Sequence, residues 1–127
     1  MVYLKKDTVN TVYIEATMFS NNAEPAVLFV VTDVMDQEIK VFSAPNLAEG
    51  VRRYDKFNIQ LVADASSEDL DNGKFFIPGT GGQYKLQVFE KINEGYIDPD
   101  YFDGYYYENL FATGKLLNSQ KMVIDFT

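Results

Sequence analysis

Residues 53–62 read Arg-Tyr-Asp-Lys-Phe-Asn-Ile-Gln-Leu-Val, and this stretch carries the clearest pattern in the chain. Phe57, Ile59 and Leu61 alternate with polar residues, so a β-strand would place the three apolar side chains on one face. A strand with one apolar and one polar face is typical of an antiparallel sheet that packs on one side and is wet on the other. The stretch therefore predicts a β-protein with a packed interior.

The same two-residue period recurs on both sides of this stretch. Val12 and Ile14 are expected to point inward from an early strand. Tyr84, Leu86 and Val88 repeat the pattern in a late strand. Each strand thus offers one apolar face to a common core.

Further segments complete the set of predicted strands. Residues 27–33 begin as a continuous apolar run, which fits a strand buried on both faces, and residues 39–43 read as its hairpin partner. Residues 74–77 form a short strand after an Asn-Gly turn signal. Residues 110–117 and 121–126 are expected to close the chain as two separate strands.

About seven to nine short strands, with no sustained helical period, predict an all-β chain. We expect residues 1–127 to form one domain, an immunoglobulin-like antiparallel β-sandwich. Tyr84 favours this fold, because it precedes Leu86 by two residues, the spacing that antibody domains use for the tyrosine corner and the second cysteine. A short helical turn near 107–111 is also compatible with the sequence.

Composition excludes several kinds of chemistry. The chain contains no cysteine and no histidine, which removes disulfides, thiol nucleophiles and the commonest zinc ligand and general base. The formal net charge of −8 argues against nucleic acid as a partner. The longest apolar run has six residues, 26–31, so neither a signal peptide nor a membrane span is expected.

Motifs for cofactors and catalysis are also missing. Asp98, Asp100 and Asp103 do not have the spacing of a calcium loop, and the glycine-rich residues 79–82 lack the Lys-Ser/Thr ending of a phosphate loop. Nothing marks a pair of acids as a glycosidase site. We expect no enzyme activity, no cofactor, no metal and no small-molecule ligand.

One segment has the composition of a recognition surface. Residues 93–107 are rich in tyrosine, aspartate and glycine, and tyrosine buries a large area at low entropic cost while keeping a polar tip. The alternative is that several of these rings fold back and cap the open end of the sandwich. The candidate partner-binding residues are Tyr96, Tyr101, Phe102, Tyr105, Tyr106 and Tyr107.

The order of the short motifs along the chain is informative as a whole. The succession is a Met-x-Tyr-Leu-Lys-Lys start, then Asn10-Thr11-Val12-Tyr13-Ile14, Leu28-Phe29-Val30-Val31, Arg53-Tyr54-Asp55-Lys56-Phe57-Asn58-Ile59, Gly82-Gln83-Tyr84-Lys85-Leu86-Gln87-Val88-Phe89-Glu90 and Ala112-Thr113-Gly114-Lys115-Leu116-Leu117. It resembles the small immunoglobulin-like virion proteins of tailed bacteriophages that infect Bacteroidota, including the crAss-like phages. The resemblance covers nearly the whole chain.

The resemblance implies a function without catalysis. Its members are similar to capsid auxiliary, or decoration, proteins, so the expected partner is the major capsid protein or another virion protein, and the expected location is the capsid surface. A carbohydrate- or receptor-binding module and a tail, neck or baseplate adaptor remain open as alternatives. The expected contact surface comprises the tyrosine-rich segment and an edge strand near the N-terminus.

Overall fold

The computed structural model describes residues 1–15, 27–35, 39–48, 54–70, 72–77, 82–90 and 115–126. These residues contain eight strands and one 3-10 turn at Ala65–Ser67, within a stretch that the sequence indicated only as a polar loop. The strands are β1 (Val2–Lys5), β2 (Asn10–Ile14), β3 (Val27–Asp33), β4 (Ile39–Phe42), β5 (Asp55–Leu61), β6 (Lys74–Phe75), β7 (Gly82–Glu90) and β8 (Lys115–Asp125).

The strands form two packed sheets. One sheet has five strands in the order β1-β8-β7-β3-β4, and the other has three in the order β2-β5-β6. In the immunoglobulin scheme, β8, β7 and β3 take the positions of strands G, F and C, and β2 and β5 those of B and E. The predicted all-β sandwich is therefore confirmed.

Most neighbouring strands are antiparallel, but two pairs are parallel. β1 runs parallel to β8, with Val2 opposite Met122 and Leu4 opposite Ile124. β6 pairs in parallel with the end of β5 through only two residues. The first and last strands of the described chain thus lie side by side in the five-stranded sheet.

The alternation patterns predicted the faces of the strands correctly. Phe57, Ile59 and Leu61 are buried, whereas Asn58 between them is exposed. The buried positions of the early and late strands are likewise those predicted: Val12, Ile14, Tyr84, Leu86 and Val88. Burial of alternate residues therefore determined which face of each strand joins the core.

The prediction of two separate strands at the end of the chain was wrong. A single strand, β8, runs from Lys115 to Asp125 beside β7, and residues 110–114 lie outside the described part. The polar residues at 118–120 do not break the ladder, because the Asn118 side chain donates to the Glu15 carbonyl (3.1 Å) and accepts from Gln120 (3.1 Å). An irregularity between Val88 and Phe89 shifts the register instead.

Four phenylalanines join the two sheets at the centre of the core. Phe29 and Phe42 lie opposite each other on β3 and β4, with ring centroids 5.2 Å apart. Phe42 stacks on Phe75 of the other sheet at 4.4 Å, and Phe29 meets Phe57 edge-on at 4.9 Å. All four rings are fully buried, so each sheet contributes two rings to one aromatic cluster.

β3 is buried on both faces, as its apolar run predicted. Phe29 and Val31 face the main core, whereas Leu28 and Val30 belong to a second cluster with Val41 and Phe89.

The predicted helical turn near 107–111 lies outside the described residues. Among the helical residues that are described, none forms a helix of the length and apolarity required to cross a bilayer.

Phe42→Ala tests the aromatic cluster. Because Phe42 contacts rings of both sheets, its removal should lower the free energy of unfolding by about 3–5 kcal/mol. Chemical denaturation measures this loss. Ile39→Ala on the same strand is the control, because Ile39 is exposed and its truncation should cost less than about 0.5 kcal/mol. Equal losses in the two variants would contradict the central role of the cluster.

Gly73 occupies a tight crossing between strands. Its φ is +76°, and an added Cβ would lie 2.5 Å from the Asn58 carbonyl oxygen. Its N–H donates to the Ser43 carbonyl (2.7 Å), and its carbonyl accepts from the Gln60 N–H (2.8 Å). The Asn-Gly turn signal therefore marks a site where the backbone conformation and the close approach both require glycine.

Gly73→Ala should destabilise the fold by more than about 1 kcal/mol, since the new methyl group collides with backbone. Gly82→Ala is a comparison without a collision, because Gly82 also has a positive φ (+132°) but its Cβ would meet nothing within 4 Å. Thermal unfolding measures the loss in both variants. A Gly73→Ala loss below about 1 kcal/mol would refute the collision.

Candidate functional site

A groove of about 780 Å³ lies on the outer face of the five-stranded sheet. It crosses β1, β8 and β7, and Val34, just past the end of β3, closes one side of it. The sheet alternation explains its lining, because these residues alternate along each strand with residues buried in the core. The residues that project onto this face are Met1, Tyr3, Gln83, Lys85, Ser119, Lys121 and Val123.

The exposed apolar side chains of the groove come mainly from β1 and β8. Tyr3 on β1 lies opposite Val123 on β8, and Val123 lies opposite Gln83 on β7. Tyr3 is 69% exposed and Met1 is 66% exposed, so both present large side chains to solvent. Val34 extends this row, since its N–H donates to the Gln83 carbonyl (3.3 Å). The result is a concave surface with an exposed aromatic ring.

The basic part of the groove is a pair of lysines. Lys85 on β7 lies directly opposite Lys121 on β8, and both side chains are exposed on the outer face. Neither ammonium group makes an ion pair with an acidic side chain of the described residues. The acid that β8 carries further along this face, Asp125, lies opposite Lys5 instead. The groove is therefore locally basic in a chain of net charge −8.

β1 forms one edge of the five-stranded sheet, which agrees with the expected edge strand near the N-terminus. Its outward backbone groups at Lys5 are occupied by the Asn10 side chain. The Lys5 N–H donates to Asn10 Oδ1 (3.2 Å), and Asn10 Nδ2 donates to the Lys5 carbonyl (3.1 Å). Asn10 thus takes the place of a partner strand at that end of the edge, so the accessible surface is mainly the face of the sheet.

The six aromatic residues predicted to bind a partner lie outside the described residues. They are Tyr96, Tyr101, Phe102, Tyr105, Tyr106 and Tyr107. The contact between partner and tyrosine-rich segment therefore stays a prediction, as does its alternative, the capping of the core. The groove itself is built from residues of other segments.

A second surface lies on the outer face of the three-stranded sheet. Tyr13 is exposed and lies opposite Lys56, two residues along β2 from the pair of Thr11 and Asn58. The Thr11 hydroxyl donates to Asn58 Oδ1 at 2.8 Å, which fixes both side chains. This face combines one exposed ring with ordered polar groups.

A smaller cavity of about 290 Å³ lies near the 3-10 turn, and its charged groups are already engaged. Lys40 pairs with Glu68 at 2.6 Å, and the same Glu68 carboxylate oxygen accepts from the Phe76 N–H (3.1 Å). Asp33, also in the lining, accepts from the Met35 N–H (2.8 Å). These contacts link loops to strands and explain the polar groups without a ligand.

The buried carboxylate of Asp55 has a structural role. It accepts from Asn46 Nδ2 at 2.9 Å, while Asn46 Oδ1 accepts from the N–H groups of Ala48 and Lys56. Asn46 therefore links the segment after β4 to the start of β5. The hydrogen bond from Asn46 satisfies an acceptor oxygen that would otherwise be costly to bury.

One exposed acid has a perturbed pKa for a local reason. The hydroxyls of Ser66 and Ser67 donate to Asp64 and hold the pKa of its carboxyl below the ordinary value. Asp64 is the N-cap of the 3-10 turn, so capping accounts for this shift. Within the described ranges, no three acidic side chains come together in a way that could hold a metal ion.

Sequence reasoning missed the groove. Its residues come from segments more than a hundred positions apart, and the lysine pair arises only from the register between β7 and β8. The available signal was the alternation, which placed Lys85 on the outer face of its strand but did not identify its neighbour. Comparison of the chain with protein-family models, with curated proteins and with solved structures found no match.

Proposed function

We propose that this chain is a non-enzymatic structural protein that binds another protein through the outer face of its five-stranded sheet. The observation that carries the proposal is the groove, which joins exposed Met1 and Tyr3 to Val123 and to two lysines that form no ion pair with the described residues. Aromatic and methionine side chains are enriched in protein interfaces, and a concave face gives shape complementarity. The groove therefore has the composition of a docking surface.

The class of partner follows from the resemblance described above. A capsid auxiliary protein binds a repeated lattice, so each copy needs only a modest contact area when neighbouring contacts add avidity. A compact β-sandwich without cofactor suits this role, and the charge of −8 helps to keep free copies soluble before assembly. We propose the major capsid protein as the partner and the outer capsid surface as the location.

The geometry also favours contact through a face over addition of a strand. Asn10 occupies the outward backbone groups of Lys5, and β1 has only four residues. A partner strand would gain few main-chain hydrogen bonds there. Recognition by side chains of the groove gives specificity without a free sheet edge.

A carbohydrate-binding module is the second candidate, and one observation favours it. Tyr13 is exposed beside the ordered pair of Thr11 and Asn58, and the Asn58 amide nitrogen has no hydrogen-bond partner among the described residues. A tyrosine face can stack on a sugar ring while amide and hydroxyl groups bind its hydroxyls. The proposal of a protein partner ranks above it because the groove with exposed Met1 and Tyr3 lies on the other sheet.

Quantitative mass spectrometry of purified phage particles that encode this chain tests the proposed function. We expect the chain in tens to hundreds of copies per particle, in fixed ratio to the major capsid protein, because a lattice offers many equivalent sites. A handful of copies would instead support the neck, tail or baseplate adaptor. Complete absence from the particles would overturn the virion proposal.

A glycan array tests the second candidate. If the proposed function is correct, the purified chain should give no hits on the array, because its contact surface recognises a protein and not a sugar. Hits that disappear in Tyr13→Ala but persist in Tyr3→Ala would establish the sugar-binding face of the three-stranded sheet instead. Tyr3 is a matched control, since it is an equally exposed tyrosine on the opposite sheet.

A further inference from the structure

We infer that Lys85 and Lys121 bind carboxylates of an acidic, partly apolar segment of the protein partner. This inference deepens the proposed function and rests on it. The geometry points to the pair because the two ammonium groups project from directly opposite positions of neighbouring strands. Side chains in such positions have Cβ atoms about 4.5–5.5 Å apart, so one carboxylate-bearing segment can reach both lysines.

The pair is costly for the isolated chain. Like charges directly opposite each other on antiparallel strands destabilise a sheet. The chain has 19 acidic residues against 11 basic ones, so acids to neutralise the pair are abundant in the sequence. Elsewhere, Lys40 has such a partner in Glu68. The lysine pair in the groove has no such partner among the described residues, and an anion that arrives with a partner protein would supply one.

The surroundings of the pair determine the chemistry of the partner segment. Tyr3, Val123 and Met1 line the same groove, and they offer an apolar contact next to the charges. Once such a surface is covered, charge pairs act in a lower dielectric than water and attract more strongly. The matching segment therefore carries at least one large apolar side chain beside its acidic ones.

An acidic protein segment fits this groove better than a nucleic acid. A nucleic acid is a long polyanion. The chain, with its net charge of −8, would repel those phosphates that lie within a Debye length, about 8–10 Å, of its surface. A short peptide brings only a few charges, and it also brings the aliphatic groups that contact Tyr3 and Val123. Nucleic acid binding is therefore an outcome of the test rather than part of the proposal.

The test is an NMR titration of the full chain with the peptide acetyl-Glu-Leu-Glu-Glu-Leu-Glu-amide. We expect chemical shift changes at the outward residues of β1, β7 and β8, and weaker binding as NaCl rises from about 50 to about 500 mM. The double variant K85E/K121E should weaken binding by about tenfold or more, since two attractions become repulsions. The peptide with glutamine in place of glutamate should bind no better to the wild type than to this variant.

The control is the double variant K56E/K74E on the three-stranded sheet. It adds the same negative charge as K85E/K121E, so a general charge effect would weaken both variants alike. Unchanged peptide binding in K85E/K121E, or equal weakening in both variants, would overturn the inference. Wild-type binding to a single-stranded thymidine 20-mer in preference to the peptide would also overturn it.

The particle experiment keeps this inference separate from the proposed function. If the chain is abundant in particles but K85E/K121E is incorporated as well as K56E/K74E, the inference fails and the proposed function stands. If the chain is absent from particles, the proposed function fails whatever the peptide result. Loss of K85E/K121E alone from particles supports both.

Discussion

The contact of four phenylalanines across the two sheets is the interaction on which the rest of the structure depends. Phe29 and Phe42 on one sheet pack against Phe57 and Phe75 on the other, and all four are removed from water. The chain has no cysteine, so no disulfide joins the sheets. Aromatic packing replaces that link, and it keeps the inner faces together so that the outer faces are held rigid and available for recognition.

Faces could be predicted from the sequence because the side chains of a strand alternate strictly. At residues 57, 59 and 61, the alternation alone was enough to predict which face of the strand is buried. Pairing was harder, because it depends on contacts between distant segments. Nothing local to residues 115–125 indicates one long strand, and in its polar middle Asn118 bonds to Glu15, which lies 103 positions away in the sequence.

In the candidate site, too, local features could be predicted from the sequence, whereas features that depend on strand pairing could not. An edge strand near the N-terminus was expected and is present as β1, but the groove beside it depends on register. Lys85 and Lys121 are separated by 36 positions, and each appears in sequence as an ordinary solvated lysine. Only the β7–β8 ladder brings them together. Composition, in contrast, excludes some chemistry directly, because a chain without histidine or cysteine has no imidazole ligand, no thiol nucleophile and no disulfide.

The hydrogen bonds of the Asn10 side chain at the edge of β1 affect how copies of the chain can associate with one another. An unpaired edge is a template on which identical molecules can add strand by strand into insoluble aggregates. The Asn10 side-chain amide accepts from the Lys5 N–H and donates to the Lys5 carbonyl, so the backbone groups of this one residue are already paired within the chain. A second copy that approaches this edge therefore finds no free donor or acceptor at Lys5, which limits how far a ladder between identical molecules can run along β1.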